Sequence, residues 1–284
     1  MENRLNVLGW LLSIVTAAGN GFVILLVAKS RRLRSRSANL FVLSLAVADF
    51  GVGIAVFPSS YFCNYSMACN SRVYVAIFWF FLHSSVTNLC SLTWDRYIAI
   101  VHPFRYNISM TKRRPGMVIL IAWSVPFAIS LSLFVGMYAT TSKTALKVLR
   151  LTGVSAFDTI SSALLFYAVV RILLVARVQS RQESSIELQV QSNRSSTEST
   201  NSRRRKRVRT APFIIAIVAF FLGCYIVVTS LVLCVTFSCH NFSGSVNQTL
   251  ILLLVLNSSV NPLVYGFLKR DIKRHIWKLI CRGK

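Results

Sequence analysis

Long apolar runs alternate with short polar segments along the whole chain. Seven runs of about 20 residues or more have approximate bounds 6–28, 38–61, 72–101, 116–138, 151–178, 208–236 and 246–268. A helix of about 20 apolar residues crosses the hydrocarbon core of a bilayer. Because lipid cannot hydrogen-bond the backbone, a segment that is not part of a closed barrel must cross it as a helix. The pattern predicts an all-α membrane protein, with a seven-transmembrane helix bundle in residues 1–268.

The positive charge of the chain is distributed unevenly between the segments that connect these runs. The formal net charge is +24, and 27 of the 32 Lys and Arg residues fall in 29–36, 96–114, 171–209 and the tail from 269. Short loops rich in Lys and Arg stay on the cytoplasmic side. We therefore expect a multi-pass plasma-membrane protein with an extracellular N-terminus, a cytoplasmic C-terminus and no nucleic-acid partner. The first run is expected to serve as an uncleaved anchor.

Two polar segments lie on the predicted cytoplasmic side. The third cytoplasmic loop, about 179–207, is rich in Ser, Thr and Gln, and it is either a solvated linker or a set of kinase targets. Residues 269–284 alternate apolar and basic positions at helical spacing, which predicts an amphipathic helix on membrane lipids. Cys281 is either a palmitoylation site or an unmodified thiol. Glycosylation triplets at Asn64, Asn241 and Asn247 fall on the predicted outside.

Polar and small residues recur in a fixed order within the apolar runs. They are Gly19 and Asn20, Asp49, the triplet Asp95-Arg96-Tyr97, Trp123, Tyr167, Phe221, Cys224, Asn257, Asn261, Pro262 and Tyr265. This ordered set covers essentially the whole chain and resembles the rhodopsin-like (class A) G-protein-coupled receptors. The resemblance implies a receptor that passes an extracellular signal to a heterotrimeric G protein, and not an enzyme.

The resemblance implies an activation switch at the cytoplasmic end of the third run. At rest, Asp95 neutralises Arg96; on activation, Arg96 turns to meet the G protein. Pro262 interrupts the hydrogen bonds of the seventh helix, and Tyr265 swings toward Tyr167. The switch set is Asp95, Arg96, Tyr97, Tyr167, Asn261, Pro262 and Tyr265. The alternative is a static interfacial ion pair.

A second acid near the sixth run holds this arginine in several family members. Arg207 stands at that position here. Like charges repel, so we expect a weakened resting state and raised ligand-free signalling.

Asp49 lies in the middle of the second run, and an ionisable residue at that depth marks function by default. The resemblance implies an allosteric sodium ion held by Asp49, Ser85, Asn257 and Asn261. The alternative is a protonated carboxyl group that bonds between helices. No other cofactor is expected.

The cysteines depart from the family pattern. The predicted second outer loop, 139–150, contains no cysteine, and Ser71 occupies the usual position on the third helix, so the usual bridge cannot form. On an oxidising outer face, Cys63 and Cys69 form one candidate disulfide and Cys234 and Cys239 another, with free thiols as the alternative. The short outer loop and the absence of a proline in the fifth run are partial melanocortin-receptor-like features.

The predicted ligand pocket is apolar and aromatic, as small-molecule sites often are. Phe78 stands where aminergic receptors place a carboxylate, and Val255 stands where opsins place the retinal lysine. Asp158 is either the partner of a cationic ligand or a water-facing residue. His83 faces the same region, and we expect it to be a hydrogen-bonded core residue. The basic residues of the second outer loop favour a small lipid-like or carboxylate ligand. The pocket set is Phe78, Trp79, Leu82, Asp158, Tyr225, Val228, Thr229 and Ile251.

Two other functions are alternatives. Tyr225 and Val227 replace the usual tryptophan and proline of the sixth run, which favours a non-signalling scavenger or dimerisation partner. A transporter would need a chain of ionisable groups, and only Asp49 and His83 lie deep in the predicted bundle.

Overall fold

The computed structural model describes residues 2–66, 68–102, 106, 113–192, 211–237 and 244–268, all in or next to helices. The α-helices of this part are α1 Glu2–Lys29, α2 Arg31–Arg34, α3 Ser37–Tyr65, α4 Ser71–Val101, α5 Arg113–Ala139, α6 Lys143–Arg150, α7 Ala156–Ser192, α8 Ala211–Thr236 and α9 Gly244–Leu268. A π-helical turn, Leu151–Ser155, joins α6 to α7. The predicted all-α architecture is confirmed, whereas the predicted helix of 269–284 and Cys281 lie outside the described residues.

Each of the seven apolar runs lies within or overlaps a long helix. Six helical segments of the described part are long and apolar enough to cross a membrane, and α8 adds a shorter apolar stretch, Phe220–Ser230. Large apolar side chains on these helices point outward; in α5, for example, Leu120 is 67% and Met117 is 64% exposed. Lipid, rather than water, is the solvent that such a surface requires. The chain is a multi-pass membrane protein.

Two segments predicted as loops are largely helical. Most of the predicted second outer loop, 139–150, forms α6, which is capped by the Ser142 hydroxyl where it accepts a hydrogen bond from the Ala145 N–H (3.4 Å). The apolar side chains of α6 follow helical spacing, and helix geometry satisfies the backbone where it meets the membrane. At the opposite end of the bundle, α7 continues to Ser192 and so includes the first part of the predicted third cytoplasmic loop.

The helices form a closed ring. Helix α1 packs against α3 and α9, α3 against α4 and α9, α4 against α5 and α7, and α8 against α7 and α9. Close approach of α1 and α3 depends on Gly53, where a Cβ atom would lie 2.8 Å from the backbone nitrogen of Ala17. We call the end of the ring where α1 begins the N-terminal end, and the opposite end the Arg96 end.

Buried hydrogen bonds between side chains fix α3, α4 and α5 to one another. The Ser44 hydroxyl donates to Asn88 Oδ1 (2.6 Å) and accepts from the indole N–H of Trp123 (2.9 Å). The Thr87 hydroxyl lies within 2.6 Å of the Ala122 carbonyl oxygen. Because lipid offers no competing partners, polar residues at these depths are satisfied between helices.

The N-terminal end is tied together by a disulfide and by aromatic contacts. Cys63 and Cys69 form a disulfide with a Cα–Cα distance of 5.0 Å, which confirms the first predicted pairing. Asn70 caps α4, and its amide donates to the Tyr138 hydroxyl (3.3 Å), while the Arg72 guanidinium lies 4.4 Å from the centre of the same ring. Cys239 lies outside the described residues, so its pairing with Cys234 stays a prediction.

Candidate functional site

At the Arg96 end, a buried carboxylate faces a partly exposed guanidinium. Asp95 is fully buried, and its Oδ2 lies 3.4 Å from Nη2 of Arg96, whose side chain is 30% exposed. The tyrosine of the triplet, Tyr97, is buried and stacks on Trp94 with ring centres 5.0 Å apart. The arginine therefore lies at the rim of the bundle, with one side toward the acid and the other open.

Tyr106, which sequence reasoning missed, forms a hydrogen bond with Asp95. The N–H of Tyr106 donates to the His102 carbonyl (3.1 Å), and this turn brings its hydroxyl within 3.0 Å of Asp95 Oδ1. Burial, followed by the negative charge of Asp95, raises the pKa of Tyr106 to about 12. The phenol therefore keeps its proton and donates to the carboxylate. Spacing alone gives no signal for this contact, because Tyr106 lies beyond the end of α4, where helical periodicity no longer predicts neighbours.

The predicted tyrosine pair is only partly visible. Tyr167 is half exposed, and its ring centre lies 6.2 Å from that of Tyr97. Tyr265 belongs to α9, but its side chain lies outside the described part, as does Arg207. Their predicted roles stay predictions.

In the middle of the bundle, Asp49 joins α3 to α4 and α9. The Ser85 hydroxyl donates to its Oδ1 (2.6 Å), and the Asn261 amide donates to its Oδ2 (2.7 Å). Ser258, which sequence reasoning missed, hydrogen-bonds the same carboxyl group. Asn257 is buried one turn before Asn261, with the Cys224 thiol of α8 as a neighbour. The structure thus brings three of the four predicted residues into one network, with the fourth beside it.

Helix α9, which contains Pro262, is supported by α1. Pro262 has no N–H to give to the carbonyl of Ser258, four residues earlier. The Asn20 amide instead donates to that carbonyl oxygen (3.2 Å) and to the Thr16 carbonyl (2.9 Å). A Cβ atom at Gly19 would lie 3.1 Å from the ring of Pro262. The Gly-Asn pair therefore admits the proline and satisfies the carbonyl that it frees.

Toward the N-terminal end, the predicted pocket residues pack together as core. Phe78, Leu82, Tyr225, Val228 and Ile251 are buried and belong to one apolar cluster, and Trp79 packs against it. Thr229 is partly buried.

Asp158 is buried as well, so its water-facing interpretation is wrong. Helix α6 and the π-helical turn directly precede α7, so the helical segment begins well before Asp158, and Asp158 does not lie at an open helix end. Its neighbour is His83 of α4, with Nε2 lying 3.6 Å from Oδ1. The basic residue Lys147 is exposed and lies over the ring of Phe237. Sequence reasoning named His83 and Asp158 but not their contact, because the two residues lie on different helices.

Seven apolar segments, a ring of helices and polar groups buried at three depths define a membrane receptor bundle. The family described as 7 transmembrane receptor (rhodopsin family) matches residues 19–265. The chain belongs to this family of G-protein-coupled receptors, so it is a receptor and not an enzyme. This membership disfavours the transporter and scavenger alternatives.

Individual relatives agree over most of the chain. It is similar to the trace amine-associated receptor 8c of Mus musculus (32% identity, 96% of this chain and 84% of the relative). It is similar to the D(1C) dopamine receptor of Xenopus laevis (31% identity, 90% of this chain), of which it spans 63%. The histamine H2 receptor of Homo sapiens is 28% identical over 95% of this chain and 77% of the relative.

Proposed function

We propose that this receptor carries the signal of a small extracellular organic ligand across the plasma membrane and promotes nucleotide exchange on a heterotrimeric G protein. The excess of Lys and Arg in four connecting segments supports an extracellular N-terminus. The names of its relatives support a small ligand, since dopamine, trace amines, histamine and adenosine are all small nitrogen-containing molecules.

The observation that carries the proposal is the ion pair at the Arg96 end. Asp95 is buried and accepts a hydrogen bond from Tyr106 at one oxygen, whereas Arg96, partly exposed at the rim, forms an ion pair with the other oxygen. Releasing the arginine leaves the buried carboxylate without its opposite charge, a cost that the contacts of the released guanidinium with a G protein must offset. The pair is therefore an element with two arrangements, and a G protein that binds the released arginine favours one of them.

Nucleotide exchange on purified heterotrimers tests this proposal. Membranes that contain the parent receptor are compared with Arg96→Ala, with Arg113→Ala as a control at another exposed arginine of the same end, and with membranes that lack the receptor. We expect the parent and Arg113→Ala to exceed the empty membranes for one class of heterotrimer, and Arg96→Ala to match them. Equal exchange in all four samples with every heterotrimer class contradicts the proposal.

The Asp49 network supports an allosteric sodium site. Sodium is a hard cation that prefers oxygen ligands, and the network offers a carboxylate, the hydroxyl of Ser85 and the amide oxygen of Asn261 or Asn257. The chain's own residues fit sodium, with Asp49 as the charged ligand.

Glycosylation remains part of the proposal. Asn64 and Asn247 are exposed at the N-terminal end, as an acceptor must be, and Asn241 lies outside the described residues. Enzymatic removal of N-glycans should lower the apparent mass of the parent chain. The same treatment should leave the triple variant Asn64→Gln, Asn241→Gln, Asn247→Gln unchanged.

A further inference from the structure

The pair formed by His83 and Asp158 lies inside the bundle at the level of the predicted pocket. His83 belongs to α4 and Asp158 to α7, and their side chains are 0% and 2% exposed. The two helices approach closely, since the Cys90 thiol lies 3.9 Å from the Ser161 carbonyl oxygen deeper in the bundle. The closest pair atoms, Nε2 and Oδ1, are 3.6 Å apart, which is too long for a direct hydrogen bond.

Three polar atoms of this pair lack hydrogen-bond partners. Within the described part of the chain, they are Nδ1 and Nε2 of His83 and Oδ1 of Asp158. Buried polar atoms are nearly always hydrogen-bonded, because an unpartnered polar group away from water is costly. Two side chains from different helices share this defect and face each other, so together they form a candidate binding site. A ligand that contacts both can donate to the carboxylate and to the ring nitrogen of His83 that carries no proton, whereas the other ring nitrogen is itself a donor.

No lysine or arginine occurs on the stretches of chain that surround the pair. None lies between Val73 and Asp95 on α4, between Leu151 and Val170 on the π-turn and α7, or anywhere in α8 and α9. The described basic side chain toward this end of α7, Lys147, is exposed beside Phe237. Among the described side chains no cation contacts the pair, so an external cation is the candidate for this role.

Aromatic rings surround the pair. Trp79 stacks on the imidazole of His83 (ring centres 5.2 Å apart), and Phe157 contacts it from another side (4.4 Å). Aromatic faces attract cations, most strongly when water is excluded. Trp79 is partly buried, whereas His83 and Asp158 are buried.

We propose that His83 and Asp158 hold the protonated amino group of a small organic amine. Its N–H groups donate to Oδ1 of Asp158 and to the unprotonated ring nitrogen of His83, while its apolar part lies against Trp79 and Phe157. The carboxylate of this site belongs to α7, whereas Phe78 of α4, which stands where aminergic receptors place a carboxylate, has none. This assignment rests on the proposed function, which supplies the premise that an extracellular ligand enters the bundle.

Thermal unfolding of the purified receptor in lipid nanodiscs tests the ligand class. The amine probes are 2-phenylethylamine and isopentylamine. Their controls are 2-phenylethanol, which is neutral, and 3-phenylpropionate, which is an anion of similar size. We expect Tm to rise with the concentration of an amine and to stay constant with the alcohol and the acid. A rise with the acid alone, or none with either amine, overturns the proposal.

Three variants test the assigned residues. Asp158→Asn keeps the size of the side chain but removes its charge, so we expect the apparent Kd for the amine to rise about tenfold or more. His83→Phe keeps the ring between Trp79 and Phe157 but removes both nitrogens, and a smaller rise is expected. Thr159→Ala changes an exposed neighbour on α7 and should keep the parent affinity.

An unchanged amine affinity in Asp158→Asn overturns the assignment. If that variant does not fold, an unchanged affinity in His83→Phe does so. The binding measurement contains no G protein. Amine binding that depends on Asp158 without any nucleotide exchange would contradict only the proposed function, whereas Arg96-dependent exchange without amine binding would contradict only this inference.

Discussion

The carboxylate of Asp95 has one charged neighbour and one hydrogen-bond donor, and the two act on different oxygens. A fully buried carboxylate is costly unless it is paired and hydrogen-bonded. Arg96 supplies the opposite charge at Oδ2, and the Tyr106 hydroxyl donates to Oδ1. The tyrosine therefore helps to hold the carboxylate in the position where it faces the arginine.

Removing the Tyr106 hydroxyl should weaken the resting state. In Tyr106→Phe, Asp95 Oδ1 loses its donor, and hydrogen bonds to charged groups are worth about 1.5–3 kcal/mol. We expect ligand-free nucleotide exchange per receptor to rise several-fold, with Arg96→Ala in the same background abolishing the increase. Exchange that equals that of the parent, at equal receptor density, would show that Tyr106 does not support the pair.

The pH dependence of this contact follows from the raised pKa of Tyr106. Its value, about 12, exceeds the ordinary 10, so the folded state holds this proton more tightly than the unfolded state does. The stabilisation is complete below pH 10 and is lost as pH rises through about 12. We expect parent and Tyr106→Phe receptors to differ in Tm by a constant amount from pH 6 to 9. A difference that disappears within this interval would contradict the assignment.

Sequence reasoning found residues whose chemistry was unusual for their place, and missed contacts that depend on tertiary structure. An acid beside an arginine at the end of an apolar run is visible in the sequence, as is Asp49 in mid-membrane. The contact of Tyr106 with Asp95 and that of His83 with Asp158 are not visible, because a connection or a different helix separates the partners.

At the scale of helices, α1 and α9 illustrate how one sequence feature requires another. Pro262 frees the Ser258 carbonyl, Asn20 donates to it, and Gly19 leaves room for the proline ring. A proline inside a helix can persist in a membrane where the carbonyl that it frees is satisfied from a neighbouring helix. The place of Pro262 in α9 thus depends on two helices together.

A double-mutant cycle measures this dependence. Asn20→Ala leaves the buried Ser258 carbonyl unsatisfied in the parent, which should cost about 1–3 kcal/mol of stability. In a Pro262→Ala background the residue at 262 has an N–H that bonds the same carbonyl, so Asn20→Ala should cost less. Tm values of the four proteins in nanodiscs give the coupling. Equal losses in both backgrounds would show that Asn20 does not compensate for the proline.

The C-terminal end of α3 is joined to the segment before α4 by a local disulfide. Cys63 and Cys69 are six residues apart, and closing so short a loop is worth about 2 kcal/mol. The double variant Cys63→Ser, Cys69→Ser should lower Tm, and a reducing agent should lower the Tm of the parent equally but leave that of the variant unchanged. Cys90→Ala, at a free thiol in α4, is the control that keeps its response to reduction. A parent Tm that is insensitive to reduction would contradict the prediction.

Helix spans were predictable because the thickness of a bilayer fixes their length, whereas the connections were not. Residues 139–150 contain few strong turn signals, yet the sequence alone could not show that α6 would continue through a π-turn into α7. That continuation carries Asp158 into the bundle interior. Because residues 139–150 were predicted as a loop, the sequence could not decide whether Asp158 faces the bundle interior or water.

At the scale of the whole molecule, three polar sites lie at different depths of one ring of helices. Helix α4 carries a residue of each: His83, Ser85 and Asp95. Helix α9 contributes Asn261 to the middle site and carries Pro262 one residue later. A ligand that prefers one arrangement of these helices changes the affinity of the others by the same factor, because binding free energies are linked reciprocally.

Sodium should therefore oppose the G protein. If the Asp49 network binds sodium in the resting arrangement, replacing potassium by sodium at constant ionic strength should raise Tm, by an amount that grows with the logarithm of concentration above the Kd. The same replacement should lower ligand-free nucleotide exchange. Asp49→Ala removes the charged ligand of the network, so both responses should vanish. Ser130→Ala, which removes a buried hydroxyl on α5, should keep both responses.

Reciprocity adds a stricter requirement: a saturating G protein must weaken sodium binding by the same factor by which sodium weakens the binding of the G protein. Sodium effects that persist in Asp49→Ala would show that the ion acts elsewhere, and unequal factors would show that the two sites do not share one equilibrium.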